Sequence, residues 1–307
     1  MKKCTVIMTI MAFVMSMMAV TAFAAVQEGD ITKGEMNWDG NLVQATGYAS
    51  GKTNPMARRA ARMDAIRNLA EQVVGTEVTA ESKMIDLVAE KDVVYTRVQA
   101  TVSNMQEISP AKYFKGKDGL TECEIVMAMP IFGAKKSVAS TFGDIAFKDC
   151  NTQAFPQPTT TNVSVSVEAT TSTTTTTTTT NTNTTSVVAA VSNAKYTGLI
   201  VNCQNLKSNK QLKPVMSPVI KNESGTKIYG HVNLNYDLVI EKGMASYVKS
   251  KNDSAVSRAG NNPLVVNAVD VADHNGNPVV SVADSDRILI ANQSTHFLDS
   301  CSVVFVR

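Results

Sequence analysis

The residues that could carry catalytic or metal chemistry are few and widely spaced. None of the three histidines, His231, His274 and His296, has another metal-binding side chain at the spacing of a helix or strand site. The sequence also has no GxSxG elbow, no HExxH pair and no phosphate-binding glycine loop. Ser217 would need a histidine base, and no histidine is close to it in sequence. We therefore predict no catalytic residue, no cofactor and no metal.

The second half also contains four aspartates that resemble the start of a calcium site: Asp270, Asp273, Asp284 and Asp286. A calcium loop places oxygen ligands at alternating positions and closes with a glutamate. The segment Asp284-Ser285-Asp286 is too short for that arrangement. We interpret these aspartates as loop and helix caps.

Polar residues recur in the first half, where Asp64, Arg67, Asn68 and Glu71 lie three or four positions apart. On a helix, Asp64 faces Asn68 and Arg67 faces Glu71. A catalytic role would need a cleft and shifted pKa values. We interpret the group as a solvated or helix-orienting polar face. Alternatively, Asp64 and Arg67 make buried, charged hydrogen bonds that fix the helix on a sheet.

The stretch from Met56 to Val74 has the pattern of a long helix. Asn54-Pro55 is typical of a helix N-terminus, and Gly75 is placed to end the helix. The apolar stripe has residues four apart and is rich in alanine: Ala57, Ala61, Ala65, Leu69 and Val73. Because small side chains let a helix lie close to a flat surface, we expect Ala61, Ala65 and Leu69 to face a sheet.

The remaining elements complete an α+β fold. In the first half, strand patterns cover residues 42–48, 108–114 and 120–129, and a shorter helix is predicted within 88–102. In the second half, strand candidates at 199–201, 215–220, 264–271, 279–282 and 302–306 alternate with helical spacing at 236–247 and 284–292. The predicted fold is an antiparallel sheet with a long helix packed across it, followed by a mixed α and β part.

Four aromatic residues of the first half, Trp38, Tyr48, Tyr113 and Phe114, could form a recognition surface. Aromatic side chains are enriched at the centres of protein interfaces. They are also ordinary residues of cores and sheets, which is the interpretation that we favour.

Three segments of the first half resemble a known family. They are the helix ARRAARMDAIRNLAEQVVG from Ala57 to Gly75, Trp38 before Ala45-Thr46-Gly47, and VMAMPIFG from Val126 to Gly133. Together they resemble the lipoprotein-20 (LPP-20) family and the N-terminal domain of flagellar assembly protein T, over about residues 36–145.

The resemblance implies a small α+β domain in an exported, envelope-associated protein with no known catalytic centre. On that basis the structural helix motif comprises Ala61, Asp64, Ala65, Arg67, Leu69 and Glu71. The segments 196–201, 213–220 and 225–230 resemble a region that follows this domain in many exported members.

The N-terminus has the three parts of a secretory signal peptide. Lys2 and Lys3 precede an uncharged, apolar run over 5–20, and Ala22-Phe23-Ala24 forms a small-x-small cleavage site. The run is shorter than the ~20 residues of a membrane-spanning helix. We predict cleavage after Ala24 and a periplasmic or secreted product with no integral membrane span. Members of the resembling family named as lipoproteins carry a lipidated cysteine after the signal, and this sequence has none there.

The net charge of the mature chain indicates which classes of partner to expect. Removal of residues 1–24 leaves 27 basic and 27 acidic residues. A near-neutral chain gives no electrostatic indication of nucleic-acid binding or of an anionic membrane surface. We therefore expect an envelope or surface protein as partner, and no nucleic acid.

A low-complexity segment divides the mature chain. Residues 157–186 contain eight consecutive threonines, Thr173 to Thr180, and too few apolar side chains to offset the entropy of folding. We predict a signal peptide at 1–24, an LPP-20-like α+β domain at 25–156, a threonine-rich disordered linker at 157–190 and a mixed α/β domain at 191–307.

Four cysteines remain after cleavage: Cys123, Cys150, Cys203 and Cys301. In an oxidising compartment an even number permits two disulfides with three possible connectivities, although free buried thiols remain an alternative. We predict Cys123–Cys150 and Cys203–Cys301, one within each domain.

These observations favour an exported, non-enzymatic protein with a structural or protein-interaction role, and the resemblance implies a role in the assembly of a surface or flagellar structure. The alternative is a soluble protein that binds a small molecule or wall glycan through its C-terminal domain. A hydrolase with a site assembled from distant residues is a third hypothesis, which a serine within hydrogen-bond reach of a histidine would favour.

Overall fold

The computed structural model describes residues 34–88, 91–100, 105–159 and 194–307. The predicted signal peptide and residues 160–190 of the predicted linker lie outside these ranges. These described residues all belong to one compact unit. Within the described residues, no helix is both long and apolar enough to span a membrane.

The N-terminal part is an antiparallel sheet with a long helix across one face. Its elements are β1 (Glu35–Asn37), β2 (Leu42–Gly51), α1 (Asn54–Val74), α2 (Met84–Leu87), α3 (Lys91–Ala100), β3 (Gln106–Glu107), β4 (Lys112–Lys115), β5 (Thr121–Pro130) and α4 (Val138–Ala146). The strand order is β1-β2-β5-β3, and β4 pairs with β5 beside β3. The predicted α+β class of this part is confirmed.

α1 lies unusually close to β2. Ala61, Ala65 and Leu69 are fully buried, as the alanine-rich stripe predicts. At the contact, β2 has Gly47, where an added Cβ would lie only 2.0 Å from the carbonyl oxygen of Ala61. The backbone of the strand therefore touches the backbone of the helix, because neither element has a larger side chain between them.

The C-terminal part is a mixed sheet flanked by short helices. Its elements are β6 (Gly198–Asn202), β7 (Ile220–Asn222), β8 (Lys227–Tyr229), α5 (Tyr236–Lys242), β9 (Ser246–Val248), β10 (Pro263–Ala272), β11 (Asn277–Val280), α6 (Val282–Thr295) and β12 (Val303–Val306), with single 3₁₀ turns at His231–Asn233 and Ser254–Ala259. The strand order is β8-β7-β11-β10-β6-β12-β9. β6 is parallel to both β10 and β12, and β10 is antiparallel to β11.

Most buried side chains of the two parts form one continuous core, and a small separate cluster lies in the C-terminal part. Trp38 packs edge-on against Tyr247, with ring centroids 5.7 Å apart. The Ser217 N–H donates to the Val78 carbonyl at 2.6 Å, so backbone hydrogen bonds also join the parts. The sequence predicts that 25–156 and 191–307 are domains with separate cores, whereas in the structure the two parts pack against each other.

Several element boundaries differ from the predictions. Thr53, not Asn54, precedes α1, and its side chain makes no capping hydrogen bond. Ser281, not Asp284, caps α6, because the Ser281 hydroxyl accepts from the Asp284 N–H. The predicted helix over 236–247 ends at Lys242, since Gly243 has a positive φ of 70° and redirects the chain into β9.

Candidate functional site

The predicted helix motif occupies two faces of α1. Its apolar members are buried against the sheet, and its polar members lie at the margin of the helix–sheet contact. Asp64 accepts a hydrogen bond from the Tyr48 N–H at 3.1 Å. Arg67 donates to Asp64 at 2.5 Å and is mostly exposed. Asp64 therefore binds the sheet, as in the alternative interpretation, although its carboxylate is not fully buried, whereas Arg67 contacts Asp64 instead.

Two of these polar residues make hydrogen bonds to backbone groups at an edge of the sheet. Among the described residues, β1 pairs with 42–44 of β2 and ends before it reaches the second half of that strand. Asp64 binds the Tyr48 N–H, and Asn68 donates to the Thr46 carbonyl at 2.8 Å. The helix thus covers an edge that would otherwise be open to pairing with another strand. This is a structural role.

The predicted disulfides are wrong for this structure, in which all four cysteines are free. Cys123 lies on β5 beneath α1, and Cys203 follows β6, so each is buried among its own neighbours. Burial raises the pKa of Cys203 to about 12, and burial together with the nearby Cys301 raises the pKa of Cys150 to about 11. The assumption of one disulfide within each domain failed, because the distance between two cysteines depends on the tertiary fold.

A serine and a histidine do meet in the C-terminal part. Ser217 Oγ lies 2.9 Å from His231 Nδ1, although fourteen residues separate them in sequence. Burial lowers the pKa of His231, and the negative charge of Asp149 partly opposes that shift. A pair of this kind is what the hydrolase hypothesis requires.

Two features argue against nucleophilic chemistry at Ser217. Its side chain is only 1% exposed, so a substrate carbonyl has no access to Oγ. The neighbouring backbone offers no oxyanion hole: the Ser217 N–H donates to Val78, Pro218 has no N–H, and the Val219 N–H donates to Asn277. The geometry therefore fits a buried hydrogen bond that joins two segments.

The four aspartates considered as a calcium site each bind a different partner. Asp270 pairs with Lys210, Asp273 with Lys221 and Asp284 with Arg287. Asp286 accepts hydrogen bonds from the backbone and hydroxyl of Thr159. Throughout the described part of the chain, no group of three or more acidic, cysteine or histidine side chains could hold a metal ion.

The aromatic residues divide between the core and the surface. Trp38 packs against the core, as predicted. Tyr48, Tyr113 and Phe114 are exposed by 49%, 39% and 47%. Tyr48 and Phe114 stand opposite Glu124 and Glu122 of β5, on the face away from α1. Tyr113 stands opposite Cys123 and points to the α1 side.

On the α1 side, Tyr113 borders a groove with basic walls. We call it the arginine groove; it has a volume of about 420 Å³ and is lined by Asn54, Pro55, Arg58, Arg59, Arg62, Glu107 and Tyr113. Arg58 binds both carboxylate oxygens of Glu107, at 3.3 and 2.5 Å. Its seven lining residues carry a net charge of +2. The helix pattern predicted that these arginines lie outside the apolar stripe, but not that a strand and an aromatic ring enclose them.

The C-terminal part matches a known protein family. Residues 198–307 match the family described as Treponema pallidum Tp0624, second domain. The match begins with β6 and includes β12, so it spans the whole mixed sheet. It does not include the residues that resemble the LPP-20 family, and that resemblance stays a prediction. No curated protein matches the chain.

Proposed function

We propose that this protein is an exported, non-enzymatic protein of the cell envelope that acts by binding another protein in a structural or assembly role. The observation that carries the proposal is the exposure of three aromatic side chains at one end of the first sheet, Tyr48 and Phe114 on the outer face and Tyr113 on the α1 face. Large aromatic side chains left in water are unfavourable in a free protein and are typical of interface centres.

The position of the outer-face side chains supports binding of a macromolecule. The two aromatic rings on the outer face, Tyr48 and Phe114, lie on β2 and β4, the strands on either side of β5 at this end of the sheet. They stand on a sheet, which presents them rigidly, and rigid anchors lose little entropy on binding. The partner that we propose is an envelope or surface protein, and the likeness to flagellar assembly proteins supports a role in assembling a surface or flagellar structure.

The proposed location rests on the N-terminal sequence. Ala22-Phe23-Ala24 supports cleavage after Ala24 and release into the periplasm or beyond. The intact mass of the protein purified from its native host tests this step. A mass that retains residues 1–24, or that includes acyl chains, would contradict it.

Site-specific photo-crosslinking tests the proposed function. A photoreactive phenylalanine analogue replaces Phe114 in the full chain expressed in its native host. The matched control carries the same analogue at Val265, which is similarly exposed, at 43%, but lies on β10 of the other sheet. We expect one discrete crosslinked protein from position 114 and none from position 265.

Two outcomes would contradict the proposal. The first is an equal, diffuse set of crosslinks from both positions, which would show no preferred surface. The second is the absence of crosslinks together with thermal stabilisation of the protein by soluble wall-glycan fragments. That result would favour the alternative function, a glycan-binding protein.

A further inference from the structure

Three arginines near the start of α1 break the usual charge preferences of a helix. Arg58 and Arg62 are four residues apart, so their like charges lie on one side of the helix and repel each other. The first turn of α1 contains no acidic residue, and the positive end of the helix dipole adds to the unfavourable potential. Local stability alone would not favour this arrangement, which is a common sign of a functional surface.

Among the described residues, ion pairing neutralises only one of these three arginines. Glu107 of β3 neutralises Arg58 through two hydrogen bonds. Arg59 and Arg62 form no ion pair with any other residue that the structure describes, and both line the same groove. The N–H groups of Met56 and Ala57 already donate to the Thr53 carbonyl, so the groove offers guanidinium side chains and not a free helix terminus.

We infer that the arginine groove binds two neighbouring carboxylates from an acidic segment of the partner protein. Arg59 and Arg62 take one carboxylate each, and Tyr113 forms the wall along which the segment lies. Two single negative charges match the net charge of the lining residues. The Arg58–Glu107 pair shows that a guanidinium in this groove binds a carboxylate through two N–H groups.

This inference rests on the proposed function, since it supplies the chemistry of the protein partner. It adds a charged contact at the same end of the sheet, because Tyr113 borders the groove and its neighbour Phe114 lies on the opposite face of the same strand. Aromatic anchors with an adjacent arginine contact are a common composition of protein interfaces.

Peptide binding to the full mature chain tests the inference. The probe is a fluorescent peptide with four consecutive glutamates, and the reference peptide has four glutamines. The test variant is Arg59→Gln/Arg62→Gln. The control variant Lys249→Gln/Lys251→Gln removes the same charge from exposed positions on the C-terminal part. Fluorescence anisotropy gives the dissociation constants.

We expect the wild type to prefer the glutamate peptide, and the arginine variant to bind it at least roughly tenfold more weakly. The lysine variant should stay within about twofold of wild type, because charges beyond a Debye length are screened. Without peptide, the melting temperature of the arginine variant should equal or exceed that of wild type, since like-charge repulsion is removed.

Three results would overturn the inference. They are no preference for glutamate over glutamine, an equal loss of affinity in both variants, and displacement of the peptide by inorganic phosphate where chloride of equal ionic strength has no effect. The last would identify a phosphate site. Crosslinks from position 114 that persist in the arginine variant would show that the proposed function stands while the groove does not contribute to it.

Discussion

Ala65 gives a sensitive test of how α1 lies on the sheet. It is fully buried, and a Cβ built on Gly47 would lie 2.4 Å from its nitrogen and 2.7 Å from its Cβ. The substitution Ala65→Leu adds three carbons at this contact. If they found space, their burial would contribute about 2.4 kcal/mol, at ~0.8 kcal/mol per CH₂.

No space is present, because the obstacle is the backbone of β2 and not a flexible side chain. Overpacking in such cores typically costs ~1–3 kcal/mol, and we expect about 2–3 kcal/mol here. For a protein of this size, that corresponds to a fall in melting temperature of roughly 4–12 °C. The loss is large against a total stability of ~5–15 kcal/mol.

Urea denaturation of the full chain, followed by far-UV circular dichroism, measures the effect. The control is Ala60→Leu, the same change on the same helix at an exposed position. It should alter the free energy of unfolding by no more than about 0.5 kcal/mol. Equal, small effects of the two substitutions would show that the wrong face of α1 has been assigned to the core.

Other predictions follow from buried polar groups. Tyr247→Phe should lower the free energy of unfolding by ~1–3 kcal/mol, because the buried hydroxyl binds both the N–H and the carbonyl of Val215; unchanged urea melts would refute this. Since burial lowers the pKa of His231, the unfolded chain binds more protons than the folded chain below the ordinary histidine pKa of 6.5. Stability should therefore fall as pH drops from 6.5 through the lowered folded pKa, and His231→Gln should flatten that decline in pH-dependent melts. Alkylation of the native protein followed by peptide mass spectrometry should label Cys150 before the other three described cysteines, because they are fully buried and it is only partly buried; a Cys203–Cys301 disulfide peptide would contradict it.

The helix α1 and its core face could be predicted from sequence because their determinants are local. Ala61, Ala65 and Leu69 repeat at helical spacing, and their burial follows from that pattern alone. The partner position Gly47 could not be predicted in the same way. Its role depends on β2 passing beneath α1, which is a tertiary relation.

The candidate sites were less predictable than the fold. Ser217 and His231 approach each other only because β7 and β8 form an antiparallel pair between them in sequence. The arginine groove needs Glu107 and Tyr113, which lie more than forty residues from Arg58. Burial of the cysteines likewise depends on packing between distant elements. Their number in the sequence therefore could not establish whether any two lie close enough to form a disulfide.

The position of β12 has a consequence for biosynthesis. Residues 303–306 form a fully buried strand between β6 and β9, although both of those strands precede them by more than fifty residues in the sequence. Until they leave the ribosome, β9 has no strand to pair with, and the apolar flank of β6 stays uncovered. The second sheet can therefore close only after translation of this segment, and the nascent chain depends on protection from aggregation until then.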